Sequence, residues 1–179
     1  RFVGGSFDME CEIREWKMDD AEELAAIVNN KKVLDNLRDG LPYPYKKSDA
    51  VEFISAMLGE DKNDVIAFAI VFDGALVGSI GVFRQQNIHA RTAEMGYYIG
   101  EEYWGRGIAS NAIAKVTRYV FDNTDIIRIF AEPFSRNAAS CRALEKAGFK
   151  FEGTLRSNAV KNGEILDMRM YSLVKEDLI

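Results

Sequence analysis

Gly105, Arg106 and Gly107 lie in the stretch YWGRGIASNA, residues 103–112, between a segment that alternates like a strand and one with a helical apolar stripe. A glycine turn feeding a helix exposes unpaired backbone N–H groups at the positive end of the helix dipole. Such a turn can cradle a phosphate, because without side chains the anion reaches the backbone. The same two glycines also suit a plain tight turn, and a short G-x-G does not choose between them. Two nucleotide loops fail on detail. A Walker loop needs a lysine after its last glycine, and here Ile108 follows Gly107. A dinucleotide fingerprint needs a third glycine where Ser110 stands, and it belongs early in a βαβ unit rather than past the middle of the chain.

The elements that must hold this turn follow from periodicity. CEIREW (11–16) alternates as a first strand, and Asp19, with Glu22 three residues on, caps a helix to about residue 30. Leu24, Ile27 and Val28 form that helix's apolar stripe. DGLPYPYKK (39–47) holds two of the three prolines and reads as an irregular connection. Ser48 caps a second helix that buries Ala50, Phe53, Ile54, Met57 and Leu58 and ends at Gly59. The apolar run 65–83 is broken by Asp73-Gly74, which predicts a hairpin with strands near 64–72 and 76–86, not a membrane span. A strand at 92–99 precedes a helix over 107–122 with Ala109, Ala112, Ile113, Val116 and Val120 on one face. A buried strand at 126–133 stops at Pro133, and a short helix at 137–149 is terminated by Gly148. Strands at 149–157 and 164–174 close the chain. This order predicts an α/β (α+β) domain, a mixed sheet flanked by helices.

At 179 residues the chain is long enough for one domain with its own core, assigned to residues 10–179, with residues 1–9 as an extension or expression remnant. A net charge of -5 excludes a broad nucleic-acid surface and weakly favours cationic substrates. The two cysteines, Cys11 and Cys141, have neither metal nor redox spacing and read as packing residues of a reduced, cytoplasmic protein.

Three segments, AEMGYYIGEEYWGRGIASNAI, RNAASCRALEKAGFKFEGTLR and NGEILDMRMYSL, together resemble the GNAT acetyltransferase superfamily, most of all its RimJ/RimL-like branch of ribosomal-protein N-terminal acetyltransferases. LPYPYKKSDAVEFI is similar to the same branch, so the resemblance covers nearly all of the chain after residue 10. It implies a mostly antiparallel twisted sheet of about seven strands with about four helices, acetyl-CoA as co-substrate, and no metal. The family's pyrophosphate loop falls on Trp104, Gly105, Arg106, Gly107, Ile108 and Ala109, with Trp104 where other branches carry a polar residue. The amides of Arg106 to Ser110 would hold the phosphates. The Arg106 guanidinium is either a further contact or a solvated surface charge. The strand before the loop would part from its neighbour, and a backbone N–H near Tyr98, Ile99 and Gly100 would receive the thioester carbonyl. The pantetheine arm would run along that strand.

Acetylating an amine requires its neutral form. A lysine-type amine titrates at about 10.4 and an α-amine at about 8, so a protein N-terminus is the more accessible nucleophile at neutral pH. Strand alternation puts Glu94 on one face with Gly96 and Tyr98, and superfamily members carry a glutamate base there. Glu94 is therefore either the base or a rim carboxylate that attracts a cation. Ser140 would donate to the departing thiolate, or bond only to its own helix. Asn137 would contact the pantetheine if Ser135 caps the helix, and otherwise caps the helix itself. Two positions depart from the family. Ala159 stands where relatives sometimes carry a glutamate, and Leu144 stands where others carry a tyrosine acid. His89 reads as a solvated loop residue, and Tyr43 and Tyr45 as cleft lining or core cover.

The resemblance implies transfer of an acetyl group to a primary amine by direct attack in a ternary complex. The acceptor would be a protein or peptide N-terminus, with a small amine, or a silent acyl-CoA-binding module, as alternatives. The partners would be the amine acceptor, such as the N-terminus of a ribosomal or other protein, with neither nucleic acid directly nor membrane, in a monomer or homodimer.

Overall fold

A computed structural model describes residues 10–178; the expected extension over residues 1–9 lies outside the described residues. The chain forms a seven-stranded sheet in the order β1-β2-β3-β4-β5-β7-β6. Its strands are β1 (Glu12–Arg14), β2 (Val65–Phe72), β3 (Ala75–Arg84), β4 (Thr92–Ile99), β5 (Arg128–Ala131), β6 (Lys150–Lys161) and β7 (Glu164–Val174). Every neighbouring pair is antiparallel except β4 with β5. The helices are α1 (Ala21–Val28), α2 (Lys31–Leu34), α3 (Lys47–Gly59), α4 (Ile108–Asn123) and α5 (Ala138–Lys146).

The two faces of the sheet are covered by different helices. Leu24 and Val28 of α1 and Ala50 and Ile54 of α3 pack with Trp16, Ala69 and Leu76 on one face. On the other, Ala112, Ile113, Val116 and Val120 of α4 and Leu144 of α5 pack against Ile70, Val77, Ala93 and Met95. Coverage on both sides explains why β3 is buried from Leu76 through Val82 with no polar alternation. The β2–β3 hairpin turns at Asp73 (φ 51°) and Gly74 (φ 78°), the two left-handed residues that a tight hairpin demands.

The helix boundaries shift from the sequence expectation where side chains find better partners. Asp20, not Asp19, flanks α1; its carboxylate binds Arg14 through two 2.8 Å contacts and accepts from the Lys17 amide. Lys46 rather than Ser48 flanks α3, with the Asp49 carboxylate accepting from the Lys46 amide at 2.8 Å. Leu58, expected inside, is 49 % exposed, one residue before the C-terminal Gly59 of α3. The short α2 lies where no helix was expected. Strand β6 runs on to Lys161 instead of ending near 157. Its pairing is broken between Leu155 and Ala159, so Arg156, Ser157 and Asn158 face a single β7 residue, Asp167.

Candidate active site

The turn after β4 passes through a 3-10 segment, Glu101–Tyr103, and enters α4 at Gly107. Gly105 and Gly107 are both left-handed, at φ 75° and 76°, a conformation that strains any residue with a Cβ. No side chain caps α4, and the first bonded amide is Asn111, which donates to the Gly107 carbonyl at 3.3 Å. The amides of Ile108, Ala109 and Ser110 therefore point outward from the helix start without an intrahelical acceptor. The Ser110 hydroxyl donates to the Gly107 carbonyl at 3.0 Å, so the anion-facing group of this residue is its amide. A Cβ on Gly107 would stand 3.6 Å from Lys146 Nζ, which brings the last residue of α5 to the rim of the cradle. Arg106 donates to the Glu102 carbonyl at 3.2 Å and lies over the Tyr103 ring, turned toward its own loop. The Trp104 indole donates to the Ile99 carbonyl at 2.7 Å and ties the loop to the end of β4.

Strand β4 parts from β5 directly before this loop. The parallel pairing lasts three residues, from Thr92 opposite Arg128 to Glu94 opposite Phe130. Beyond Glu94, β4 continues to Ile99 paired with β3 alone. The Gly100 amide donates to the Val77 carbonyl at 2.7 Å and is thus taken. Because amides alternate along a strand, Tyr98 also points toward β3, while Tyr97 and Ile99 point into the gap. Within the expected span from Tyr98 to Gly100, Ile99 is the residue whose amide faces the opening. The Tyr98 side chain packs in the α1–α3 core, where burial raises its hydroxyl pKa, so only its backbone lies near the gap.

The two faces of β4 carry different chemistry. On the α4–α5 side, the Tyr97 hydroxyl lies 2.5 Å from Ser140 Oγ. Burial, the largest influence, pushes the Tyr97 hydroxyl up to about 12, so it stays protonated at neutral pH. The Asn137 Oδ1 accepts from the Ser140 amide at 3.2 Å and caps α5. The route in which Ser135 caps and frees Asn137 is therefore not taken: the Ser135 hydroxyl is buried without a partner. Only the Asn137 amide nitrogen is left to reach a ligand. On the opposite side, Arg38 Nη2 forms an ion pair with Glu94 at 2.6 Å and donates a hydrogen bond to Glu132 at 3.3 Å. These three residues line a cavity of about 430 Å³ with Phe134, Ala159 and Met168. Burial raises the Glu94 pKa; Arg38 opposes the shift and the Glu132 charge adds to it.

The structure brings Ser140 to Tyr97 and Glu94 to Arg38 and Glu132, with the β4–β5 gap between the two groups. Ala159 lines the Glu94 cavity without a titratable group, and Leu144 is fully buried in the core. His89 is exposed, Cys11 and Cys141 are buried, Tyr45 is core and Tyr43 is 55 % exposed. Three residues escaped sequence reasoning. Tyr97 carries no mark of its own in the sequence beyond its parity on β4, opposite to that of Glu94. Glu132 could have been found by extending the alternation of IFAEP, since Ile129 and Ala131 are core and Glu132 must face away. Arg38 sits in an irregular connection and left no signal.

An acetyltransferase (GNAT) domain model matches residues 11–150. The uncharacterized N-acetyltransferase YoaA of Bacillus subtilis (strain 168) is 44 % identical over 100 residues, 56 % of each chain. The putative ribosomal N-acetyltransferase YdaF of the same organism is 32 % identical over 117 residues, 65 % of this chain and 63 % of its own. The matched regions thus span somewhat over half the length of these two relatives. Among solved structures, the microcin C7 self immunity acetyltransferase MccE, in complex with acetyl-CoA and AMP, superposes with a TM-score of 0.81 at 26 % identity, covering 92 % of both chains.

Proposed function

The chain belongs to the acetyltransferase (GNAT) family, and from that premise we propose that it transfers an acetyl group from acetyl-CoA to a primary amine, by direct attack, with a protein or peptide N-terminal α-amine as acceptor. One observation carries the reading: β4 leaves β5 after Glu94, immediately before the glycine-led, uncapped start of α4. An opened strand edge beside an anion cradle fits a ligand with an amide-bearing arm and a pyrophosphate. Acetyl-CoA supplies the activated acyl carbon. The Ile108, Ala109 and Ser110 amides hold the phosphates, and the free edge of β4 pairs with the arm.

The Ile99 amide donates to the acyl oxygen as negative charge builds there; a single such donor is worth about 3 kcal/mol. Glu94 accepts the proton that the amine gives up as its nitrogen bonds to the acyl carbon and the carbon–sulfur bond breaks. Ser140 is the hydrogen-bond donor to the departing sulfur, with Tyr97 donating in turn to Ser140. A thiol of pKa about 8.5 leaves readily as thiolate, so a hydrogen bond suffices. The α-amine acceptor is supported by its lower pKa and by the ribosomal designation of YdaF. Two buried free cysteines suit a reducing, cytoplasmic setting. Among the described residues no helix is long and apolar enough to cross a membrane.

A small amine is the second reading, favoured by the ion pair of Lys161 with Asp39 at 2.9 Å, which joins two segments lining the Glu94 cavity. Thiol release from acetyl-CoA, followed over short peptides, free amino acids and spermidine, tests both. Peptides are expected to turn over fastest. Faster turnover of spermidine or amino acids would move the acceptor to the second reading. Thermal stabilisation by CoA with no turnover of any amine would leave a silent binding module.

A further inference from the structure

Glu94 and Glu132 face one cavity from two neighbouring strands, and each is anchored. Glu94 lies within β4 and Glu132 directly follows β5 and precedes Pro133. Their side chains are only 22 % and 18 % exposed, whereas that of Arg38, hung from the connection between α2 and α3, is 60 % exposed. A single guanidinium nitrogen, Nη2, makes both contacts, at 2.6 and 3.3 Å. Among the described residues Arg38 has no other hydrogen-bond partner. Arginine's strength lies in the two-pronged grip of one carboxylate, and here it forgoes that grip to sit as a point charge between two. A primary ammonium, a compact charge with three donors, matches the same pair of acceptors better.

We propose that Arg38 is an internal stand-in for the acceptor's ammonium: Glu94 and Glu132 form a two-carboxylate clamp for a cationic amine, and the amine takes the clamp by displacing Arg38. This rests on the reading of Glu94 as the base. Two half-buried carboxylates this close repel each other, so the clamp always needs one cation. The other charged groups lining the cavity, Asp39 and Lys161, are paired with each other and leave the clamp to Arg38. The amine displaces Arg38 as an ammonium and gives up one proton to solvent; the second, released as its nitrogen bonds to the acyl carbon, passes to Glu94, which leaves a protonated carboxyl beside ionised Glu132. The amide product is neutral and can no longer neutralise the pair. The return of Arg38 then favours loss of the proton from Glu94 and clears the site. Glu132 is a binding residue in this scheme, and Arg38 a positioning residue that acts through Glu94.

Acceptor KM and the pH profile of kcat/KM, which reports the free enzyme with Arg38 in the clamp, are to be measured with the fastest peptide of the panel, for wild type, Glu94→Gln, Arg38→Gln, Arg38→Lys and Glu132→Gln. Removing the competitor in Arg38→Gln should lower the acceptor KM roughly fivefold and move the acidic limb to higher pH, since Glu94 loses the cation that favours its ionised form. Glu132→Gln should do the reverse, raising KM roughly tenfold and moving the limb to lower pH. Arg38→Lys places the better-matched ammonium in the clamp and should raise the acceptor KM roughly threefold; because it retains a cation it tests the proposal even if Arg38→Gln folds poorly, and a KM at or below that of wild type would overturn the stand-in. A raised KM in Arg38→Gln would mean that Arg38 holds the acceptor, and an unmoved limb would mean that it does not govern Glu94; either overturns the stand-in. A wild-type acidic limb that persists in Glu94→Gln is a separate failure, that of Glu94 as base.

Discussion

At the start of α4 the groups proposed to bind are backbone amides of consecutive residues, whereas those proposed beside Glu94 are side chains drawn from β4, the α2–α3 connection, the end of β5, and β6. The first site needs only a helix that begins with two left-handed glycines. Its anion preference is built into the peptide group, and substitutions can remove it only by filling or straining the turn. The second exists only when four distant segments converge, and its charge balance, one cation between two carboxylates, depends on each side chain. In the proposed reading, a donor site made of backbone could stay fixed while an acceptor site made of side chains is rewritten.

Several substitutions would sharpen or break that contrast. The largest effect is expected for Glu94→Gln, which should lower kcat about a hundredfold near neutral pH while leaving CoA affinity unchanged. In the wild type, activity should rise with pH as Glu94 loses its proton. The burial that raises its pKa places that limb above the usual glutamate value of about 4.3. The pH–rate profile of wild type against variant checks both statements, and a weakened CoA affinity would show that the two sites are not independent.

Gly107→Val comes next. A β-branched residue is a genuine outlier at φ 76°, and its side chain would enter the cradle beside Lys146. CoA affinity by calorimetry should fall about tenfold, equivalent to about 1.4 kcal/mol. Full affinity in this variant would dismiss the backbone cradle. Tyr97→Phe should lower kcat only about threefold, because it removes a support for Ser140 rather than a group that touches the acceptor, and a thiol departs with little help. The acceptor KM should not change. Smallest of all, Leu58→Ala should shift stability by less than about 0.5 kcal/mol in urea unfolding, because the side chain is 49 % exposed. Leu144→Ala, from the core that carries α5, provides the reference and should cost about 2–5 kcal/mol.

Most of the frame was legible because local chemistry and long-range packing agree. Asp73-Gly74 marks a hairpin whatever surrounds it, and the stripe of Ala112, Ile113, Val116 and Val120 is the face that α4 buries. Gly148, at φ 94°, ends α5 as its position suggested. The shifted and open boundaries fall where local chemistry offered two solutions. Asp19 and Asp20 could each flank α1, and Arg14 decides for Asp20. Ser135 and Asn137 could each cap α5, and the chain uses Asn137.

The candidate site divides in the same way. The glycine turn, the residues that follow it, and the parity of Glu94 are properties of short stretches, fixed by which φ a glycine permits and by the two-residue period of a strand. That much the order of residues determined without help. Only the folded sheet decided that Tyr97 meets Ser140, that the Gly100 amide is spent on Val77 and leaves Ile99 facing the gap, and that Arg38 bridges Glu94 and Glu132. Those contacts join residues far apart in the chain. Their distances depend on how β4 and β5 diverge and where an irregular connection comes to rest, and no local pattern encodes either.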